Sequence, residues 1–141
     1  LLKPVRSSDI LQMVNRAVDE LFGVQEDAKI KPMEEKNHLV ELAKEYMEEH
    51  YYENLMLIDV AQKAGISPVY LSTLFQKQLS KGFIDYLNEI RIEHACSYLQ
   101  QNYLKTYEIA YKVGFKDEKY FSKVFKKLKG RSPSEYRRGN L

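Results

Sequence analysis

Cysteine is nearly absent from this sequence of 141 residues, in which Cys96 is the only one. A single cysteine excludes a disulfide within the chain, and a lone thiol is typical of a protein from a reducing cytoplasm. No apolar run approaches the ~18 residues that a membrane-spanning helix needs, and the first residues do not have the pattern of a secretory signal. The sequence also lacks an initiating Met, so we expect it to be a fragment of a longer protein.

Charge is distributed unevenly along the chain. Residues 103–141 carry 11 basic and 4 acidic side chains, a net charge of +7, whereas the whole chain carries only +2. Residues 1–35 and 36–102 carry −2 and −3. A basic block in a chain that is otherwise slightly acidic is typical of a contact with a polyanion. A lysine-rich face that is simply solvated is the alternative interpretation of the charge alone.

Nearly all of the sequence has helical periodicity. Apolar residues recur every three or four positions over residues 8–22, which predicts an amphipathic helix that ends at Gly23. Residues 24–35 are rich in charge and contain Pro32, which is typical of a linker, and a further helix is predicted over residues 36–51. No segment alternates apolar and polar residues for long enough to suggest a strand. We therefore predict an all-α fold.

The middle of the chain has the pattern of a helix-turn-helix unit. Apolar spacing over residues 57–64 predicts a short helix that ends at Gly65. Ser67 and Pro68 favour the start of a second helix, which runs to residue 79, because serine caps helix N-termini and proline fits the first turn. Two short helices joined by a tight glycine-containing turn are the signature of this motif.

The same pattern recurs about 50 residues later as an internal repeat. Gly65 recurs 49 positions on as Gly114, and Tyr70-Leu71-Ser72 recurs 50 positions on as Tyr120-Phe121-Ser122. The change of offset places one extra residue in the turn of the second copy. A duplication that is kept only for packing is the alternative interpretation of the repeat.

The sequence thus predicts two helix-turn-helix subdomains, over about residues 57–79 and 106–129, joined by a linker helix over residues 83–101. Two such units on one chain favour nucleic-acid binding. A helix fits the ~12 Å major groove of B-DNA, and the second helix of each unit, the recognition helix, is the one that lies there. The linker helix is a stiff spacer that can hold the two recognition helices about one DNA turn, ~34 Å, apart.

Helical periodicity assigns each residue of the recognition helices to an inner or an outer face. The inner, core-facing residues are Leu71, Leu74 and Phe75 in the first unit and Phe121, Val124, Phe125 and Leu128 in the second. The outer residues that are candidates for reading bases are Val69, Ser72, Thr73 and Gln76 in the first unit and Glu118, Lys119, Ser122 and Lys123 in the second. A basic set is expected to contact phosphate: Lys116, Lys126, Lys127, Lys129 and Arg131.

The two outer faces offer different chemistry to DNA. Val69 and Thr73 present methyl groups that suit thymine, whereas Lys119 and Lys123 donate to guanine and Glu118 accepts from cytosine. Contacts from lysine and arginine to phosphate position a protein without reading its sequence. We therefore expect the second unit to supply most of the salt-dependent affinity. A solvated side chain is the alternative at each lysine.

Residues 36–138 resemble the DNA-binding domain of the AraC/XylS transcription regulators. The resemblance rests on motifs in both units and in the linker helix: Asp59-Val60-Ala61, Tyr70-Leu71-Ser72-Thr73-Leu74-Phe75, Arg91, Ala95, Glu108-Ile109-Ala110, Val113-Gly114-Phe115, Tyr120-Phe121-Ser122-Lys123-Val124-Phe125-Lys126-Lys127 and Ser132-Pro133. It implies a seven-helix domain that binds double-stranded promoter DNA and usually activates transcription beside RNA polymerase.

The chain departs from the family pattern at three places. Thr73 and Lys123 stand where members often have arginine in the recognition helices, so no base preference is transferred. Ser80 replaces the glycine that commonly ends the first recognition helix, where a left-handed conformation strains any other residue. Met56 stands where a serine or threonine cap is usual, so we expect the first unit to be the less stable one.

The first residues carry a second resemblance. Leu1-Leu2-Lys3-Pro4-Val5, followed by the helix predicted over residues 8–22, is similar to the end of a phosphorylation receiver domain. The resemblance implies that residues 1–23 are a receiver remnant, that residues 24–35 are a linker, and that the parent is a two-component response regulator with a partner sensor kinase. In such receivers the lysine before the proline, here Lys3, contacts the phosphoryl group.

Residues suited to catalysis or metal binding are sparse. His38, His50 and His94 have no metal-ligand spacing, no Cys-x-x-Cys pair exists, and Cys96 has no basic pair nearby to activate its thiol. No glycine-rich phosphate loop is present. We therefore predict no enzyme activity and no cofactor. The competing interpretation is a helical protein-interaction module that has lost DNA binding, which the neutral outer face of the first recognition helix leaves open.

Overall fold

The computed structural model describes residues 33–101 and 103–139. In chain order their helices are α1 (Met33–His50), α2 (Leu57–Ala64), α3 (Pro68–Leu79), α4 (Phe83–Gln101), α5 (Thr106–Lys112), α6 (Glu118–Lys129) and α7 (Pro133–Gly139). These two ranges contain no strand, so the prediction of an all-α fold with two helix-turn-helix units and a linker helix is confirmed. None of the seven helices is long and apolar enough to cross a membrane.

Part of the predicted N-terminal organisation falls outside the described residues. The helix predicted over residues 8–22 and most of the linker predicted over residues 24–35 lie there. The next helix, α1, begins at Met33, three residues before the predicted start. The first turn of α1 carries Glu34 and Glu35, and carboxylates at this end of a helix interact favourably with its dipole. Two of the charges that suggested a linker, Glu34 and Glu35, therefore belong to the first turn of a helix.

The ends of the helices in the first unit follow from local side-chain chemistry. Gly65 ends α2 with a left-handed φ of 75°, which glycine adopts without strain. The Oγ of Ser67 accepts a hydrogen bond from the backbone N–H of Tyr70 at 3.1 Å and so caps α3. At the start of α2, where Met56 offers no cap, the carboxylate of Asp59 accepts a hydrogen bond from the Met56 N–H at 2.9 Å.

The second unit repeats these devices with different residues. The Glu108 carboxylate accepts a hydrogen bond from the Lys105 N–H at 2.8 Å, just as Asp59 does for Met56 in the first unit. The Asp117 carboxylate accepts one from the Lys119 N–H at 3.2 Å and caps α6. The segment between α5 and α6 has five residues, against three between α2 and α3, while α5 is one residue shorter than α2. The longer turn and the shorter helix together amount to a net insertion of one residue in the second unit, as the change of offset in the repeat predicts.

The linker helix α4 contributes to two hydrophobic clusters. The first cluster joins α1, α2, α3 and the first half of α4 through Ala43, Met47, Leu55, Val60, Ala61, Leu71, Phe75, Phe83, Leu87 and Ile90. The second joins the other half of α4 to α5 and α6 through Ile92, Ala95, Cys96, Leu99, Ile109, Ala110, Val113, Phe115, Phe121, Val124 and Phe125. Each unit therefore has its own core, and α4 fixes the position of both because it belongs to each of them.

Candidate nucleic-acid interface

The first recognition helix, α3, presents its predicted base-reading residues on the open side. Val69 is 76% exposed, Thr73 and Gln76 are exposed, and Ser72 is half-buried. The Oγ1 of Thr73 donates a hydrogen bond to the carbonyl of Val69 at 3.0 Å. Because this bond uses only the hydroxyl proton, Thr73 keeps its methyl group and its oxygen lone pairs for a ligand. The face is neutral, with methyl, hydroxyl and amide groups.

The second recognition helix, α6, presents a charged face. Glu118, Lys119 and Lys123 are exposed, and Ser122 is half-buried. Lys119 and Lys123 lie one helical turn apart and therefore share one side of α6. Glu118 occupies the first turn, where the helix dipole favours its carboxylate. The positions predicted to read bases are thus accessible in both helices. They are neutral in α3 and mostly charged in α6.

The inner faces agree with the prediction at six of seven positions. The residues found buried as predicted are Leu71, Leu74, Phe75, Phe121, Val124 and Phe125. The prediction that Leu128 faces the core is wrong, because its side chain is 39% exposed. The second core cluster ends at Phe125, and the last turn of α6 extends past it. In the repeat, Leu128 aligns with the polar Gln78, which is the sequence signal that identifies this turn as outside the core.

The residues predicted to contact phosphate differ in their surroundings. Lys116, Lys126 and Lys127 are exposed. Arg131 is also exposed, and its guanidinium carbon lies 5.4 Å from the ring centroid of Tyr136.

Lys129 is held differently, because its Nζ lies 2.6 Å from a carboxylate oxygen of Glu93 in α4. This hydrogen bond raises the pKa of the Lys129 ammonium. A contact from Lys129 to phosphate therefore competes with an ion pair inside the protein.

An open groove with a volume of about 890 Å³ lies between the two units. It is lined by Ser72 of α3 and by Lys116, Asp117 and Tyr120, which surround the start of α6. Ser72 and Tyr120 line the same opening, so each recognition helix borders it at one residue. Neither helix is enclosed in the interior, which is the arrangement that binding to one face of a duplex requires.

Three residues at or beside this groove were not among the predicted site residues: Tyr120 and Arg91 line it, and Asn88 contacts Tyr120. Asn88 of α4 is buried, and its Nδ2 donates a hydrogen bond to the hydroxyl oxygen of Tyr120 at 3.1 Å. Arg91, one turn further along α4, lies with its guanidinium carbon 5.6 Å from the ring centroid of Phe115. Burial lowers the pKa of the Arg91 guanidinium. Asn88 lies between Leu87 and Glu89 in a helix with many polar positions, so the sequence carries no signal that this side chain is buried.

The ends of both recognition helices form ion pairs with the linker helix. Lys81, just after α3, lies 2.7 Å from a carboxylate oxygen of Glu89, and Lys129, the last residue of α6, pairs with Glu93. Glu89 and Glu93 are four positions apart, so both lie on one side of α4. The two units are thus attached to neighbouring turns of the same helix.

Two of the three histidines and the cysteine have structural surroundings. His94 pairs with Glu48 and His50 with Glu53, the latter with 2.9 Å between Nδ1 and the carboxylate oxygen. Cys96 is buried, and burial raises the pKa of its thiol, which disfavours the thiolate. In the part of the chain that the structure describes, no group of three or more histidine, cysteine or acidic residues has an arrangement that could hold a metal ion. Lys3 lies outside that part.

Comparisons with known proteins agree with this geometry. A family model described as a helix-turn-helix domain matches residues 60–139. The HTH-type transcriptional regulator YijO of Escherichia coli is 48% identical over 100 residues, which are 71% of this chain and 35% of that protein. The chain thus spans about a third of the length of YijO.

Two solved structures are similar in fold and sequence. The C-terminal domain of AraT, a response regulator from Geobacillus stearothermophilus, is 40% identical with a TM-score of 0.67, covering 72% of this chain and 84% of that one. A transcriptional regulator from Chromobacterium violaceum, described as having an AraC-type DNA-binding domain, is 27% identical with a TM-score of 0.71, covering 74% and 94%. From its two helix-turn-helix units and these matches, the chain belongs to the helix-turn-helix family of AraC-type DNA-binding transcription regulators.

Proposed function

We propose that this chain binds double-stranded DNA in a sequence-specific manner by inserting α3 and α6 into successive major grooves on one face of the duplex. The observation that carries the proposal is that the two recognition helices border one open groove with their polar faces accessible. A helix of this kind fits the ~12 Å major groove, and the intervening helix α4 is stiff enough to hold two of them at a fixed separation.

Base reading is proposed for the outer residues near the N-terminal half of each recognition helix. In α3, Val69 and Thr73 suit thymine methyl groups, while Ser72 and Gln76 suit hydrogen bonds to bases or phosphate. In α6, Lys119 and Lys123 suit guanine acceptors. The remaining residues of that proposed set are Glu118, as an acceptor from cytosine, and Ser122, as a small polar contact.

Phosphate contact is proposed for the basic residues that flank α6. Lys116, Lys126, Lys127 and Arg131 are exposed and carry charge that neutralises phosphate without reading bases. Lys129 joins this set only when it leaves Glu93. Because the basic block lies in residues 103–141, the second unit supplies most of the counterion release, and the first unit contributes mainly neutral contacts.

For the whole protein we propose the output end of a two-component response regulator, with residues 1–23 as a receiver remnant, 24–35 as a linker and 36–138 as the DNA-binding domain. The similarity to the AraT response regulator domain supports this order. The proposal includes a cytoplasmic location, phosphoryl contact by Lys3 in an intact receiver, control by a sensor kinase, and activation of promoters beside RNA polymerase.

We further propose that the chain has no catalytic activity. His94 of α4 pairs with Glu48, His50 at the end of α1 pairs with Glu53, and the thiol of Cys96 is buried with a raised pKa. These groups lie away from the groove lined by Ser72 and Tyr120. The outer faces of α3 and α6 carry groups that suit hydrogen bonding and charge neutralisation.

The proposal is tested by selecting bound sequences from a random duplex library, followed by affinity measurements at about 50 and 200 mM salt. Sequence-specific binding through several lysines predicts an enriched motif with two half-sites and an affinity that falls by at least about tenfold between these salt concentrations. A helical protein-interaction module predicts no enriched motif and no such salt dependence, and that result would reject the proposal.

A further inference from the structure

We propose that Asn88 and Tyr120 set the orientation of α6 relative to α3, and thereby determine which base-pair spacing between two DNA half-sites the chain accepts. The proposal rests on the DNA binding proposed above. It assigns a positioning role to both residues. One is buried in the linker helix and the other lies in the first turn of α6, and neither is among the residues proposed to contact bases or phosphate.

The hydrogen bond between these residues is the first step. Within residues 33–101 and 103–139, Asn88 is the one polar residue that is buried, at 7% exposure. Its Nδ2 donates to the Tyr120 hydroxyl at 3.1 Å, across 32 positions of the sequence. A buried amide that loses its partner is costly, and hydrogen bonds weaken steeply as their geometry departs from linear. The bond therefore opposes any rotation or sliding of α6 against α4.

A chain of contacts continues from Tyr120 to the first unit. The ring centroids of Tyr120 and Phe115 are 5.9 Å apart, and Arg91 lies over the other end of this pair, 5.6 Å from the Phe115 centroid. Arg91 in turn donates through Nε to the carbonyl of Tyr51 at 2.8 Å and through Nη2 to that of Glu53 at 2.9 Å. These two carbonyls belong to the segment between α1 and α2.

The turn of the second unit also packs directly on that segment. A Cβ atom at Gly114 would lie 2.6 Å from the Tyr51 carbonyl oxygen and 2.8 Å from Nε of Arg91. No side chain fits into so close an approach of two backbones. The backbone before α6 and the backbone before α2 are therefore in close contact, and the Asn88–Tyr120 bond adds a directional constraint on α6 beside the apolar packing of Phe121 and Phe125.

The position of Tyr120 connects the Asn88–Tyr120 hydrogen bond to the geometry of DNA binding. Tyr120 follows Lys119 at the start of α6 and lines the same groove as Ser72 of α3. One extra base pair between two half-sites rotates the second by roughly 35° and moves it by roughly 3.4 Å. A protein whose recognition helices are fixed to each other binds only the spacing that matches, whereas a protein in which α6 can turn accepts neighbouring spacings.

The test uses the full chain, the half-sites selected by the wild type, and duplexes whose spacer is unchanged or is longer or shorter by one base pair. Tyr120→Phe removes only the hydroxyl, and Asn88→Leu removes the donor while keeping a side chain of similar size. Tyr111→Phe is the matched control, because Tyr111 is an exposed tyrosine of α5 that contacts Tyr107 by its ring edge.

We expect a one-base-pair change to weaken wild-type binding by about tenfold or more, in the range of a mismatch. In Tyr120→Phe and in Asn88→Leu this penalty falls by about fivefold, the factor that corresponds to one net hydrogen bond. Affinity for the preferred spacer changes by less than about threefold, and Tyr111→Phe behaves as the wild type.

Two results would overturn the proposal. One is a spacing penalty that stays at the wild-type value in a variant that retains a cooperative thermal transition. The other is an equal loss of affinity at every spacing, which would make Tyr120 an ordinary DNA contact. A wild type that selects a motif but ignores spacing rejects only this inference, whereas a wild type that selects no motif rejects the proposed function itself.

Discussion

The two helix-turn-helix units repeat one packing scheme but present different surfaces. Phe75 and Phe125 occupy equivalent buried positions in α3 and α6, and each unit has its own core cluster. On the outside, the first unit has Val69 and Thr73 in its recognition helix, where the second has charged side chains at Lys119 and Lys123. The inner positions are constrained by packing density, which tolerates few changes of volume. The outer positions are under no such packing constraint, so their chemistry can differ with the ligand that each helix contacts.

The ends of the helices differ between the units as well. Both recognition helices end in a left-handed residue, but it is Ser80 with a φ of 60° in the first unit and Gly130 with a φ of 82° in the second. Both turns contain a glycine with positive φ, but open space surrounds Gly65 whereas backbone and Arg91 surround Gly114. The first unit is therefore strained at its end, and the second is constrained at its turn, where it contacts the rest of the domain.

The largest difference is expected from alanine at the two turn glycines. Gly114→Ala places a Cβ 2.6 Å from the Tyr51 carbonyl oxygen at a φ of 107°, so strain and overlap add. We expect a loss of about 3–4 kcal/mol in the free energy of unfolding, measured in urea. Gly65→Ala meets no atom within 4 Å and is expected to lose only about 1–2 kcal/mol. Equal losses of stability at the two sites would contradict the conclusion that only the turn of the second unit is closely packed against the rest of the domain.

The next effect separates base reading from phosphate contact within the second unit. We expect Lys123→Ala to reduce discrimination at one position of the selected motif by about 1–3 kcal/mol. Lys127→Ala should weaken binding to all sequences alike and lower the slope of log affinity against log salt by about 0.9. Binding of wild-type and variant chains to the selected motif and to single-base variants of it measures both quantities. If both variants lose affinity uniformly, the assignment of Lys123 to the base-reading face is wrong.

The matching change in the first unit is Val69→Ala. Because Val69 carries no charge, its removal should leave the salt slope unchanged while it relaxes preference at one position. A reduced slope of log affinity against log salt in this variant would contradict the assignment of a neutral outer face to α3 and a basic one to α6.

Most of the fold was accessible from the sequence because short-range rules determine it. Gly65, Ser67 and Pro68 define the first turn by backbone and capping chemistry, and the structure places the helix ends there. The repeat then transferred this pattern to the second unit. The start of α1 was misplaced because Glu34 and Glu35 are equally compatible with a linker and with the first turn of a helix.

The joint between the units was not accessible in the same way. The bond from Asn88 to Tyr120 and the bonds from Arg91 to two backbone carbonyls span 32 to 40 positions, and helical periodicity carries no information about such distances. The exposure of Leu128 was missed for a related reason, because periodicity gives the face of a residue but not where the core ends. Residues that hold two subdomains together are visible only once their neighbours are placed.

A smaller effect is expected from the residue that ends each recognition helix. Ser80→Gly relieves a left-handed conformation in a non-glycine residue and should raise the free energy of unfolding by about 1 kcal/mol. Gly130→Ser makes the second unit resemble the first and should lower it by about the same amount, since no atom lies within 4 Å of a Cβ there. Urea unfolding of the two variants tests the comparison, and a loss of stability in Ser80→Gly would contradict it.

The smallest effect concerns the ion pairs that join both recognition helices to α4. Glu93→Gln removes the partner of Lys129, and because both side chains are partly exposed we expect a loss of only about 0.5 kcal/mol at neutral pH. The pKa of Lys129 is raised in the folded chain, so its contribution is present below the unfolded pKa and is lost as the pH rises through the folded value. The stability difference between wild type and Glu93→Gln should therefore vanish in strongly alkaline solution.

The same variant shows whether Lys129 is withheld from DNA in the wild type. Without Glu93 its ammonium is free to reach phosphate, so the salt slope of Glu93→Gln should become steeper by up to about 0.9. Glu89→Gln, which frees Lys81 at the end of α3, is the matched control in the neutral unit. If the basic surface belongs to the second unit alone, only Glu93→Gln steepens the slope, and an equal change in Glu89→Gln would mean that the first unit also contacts phosphate.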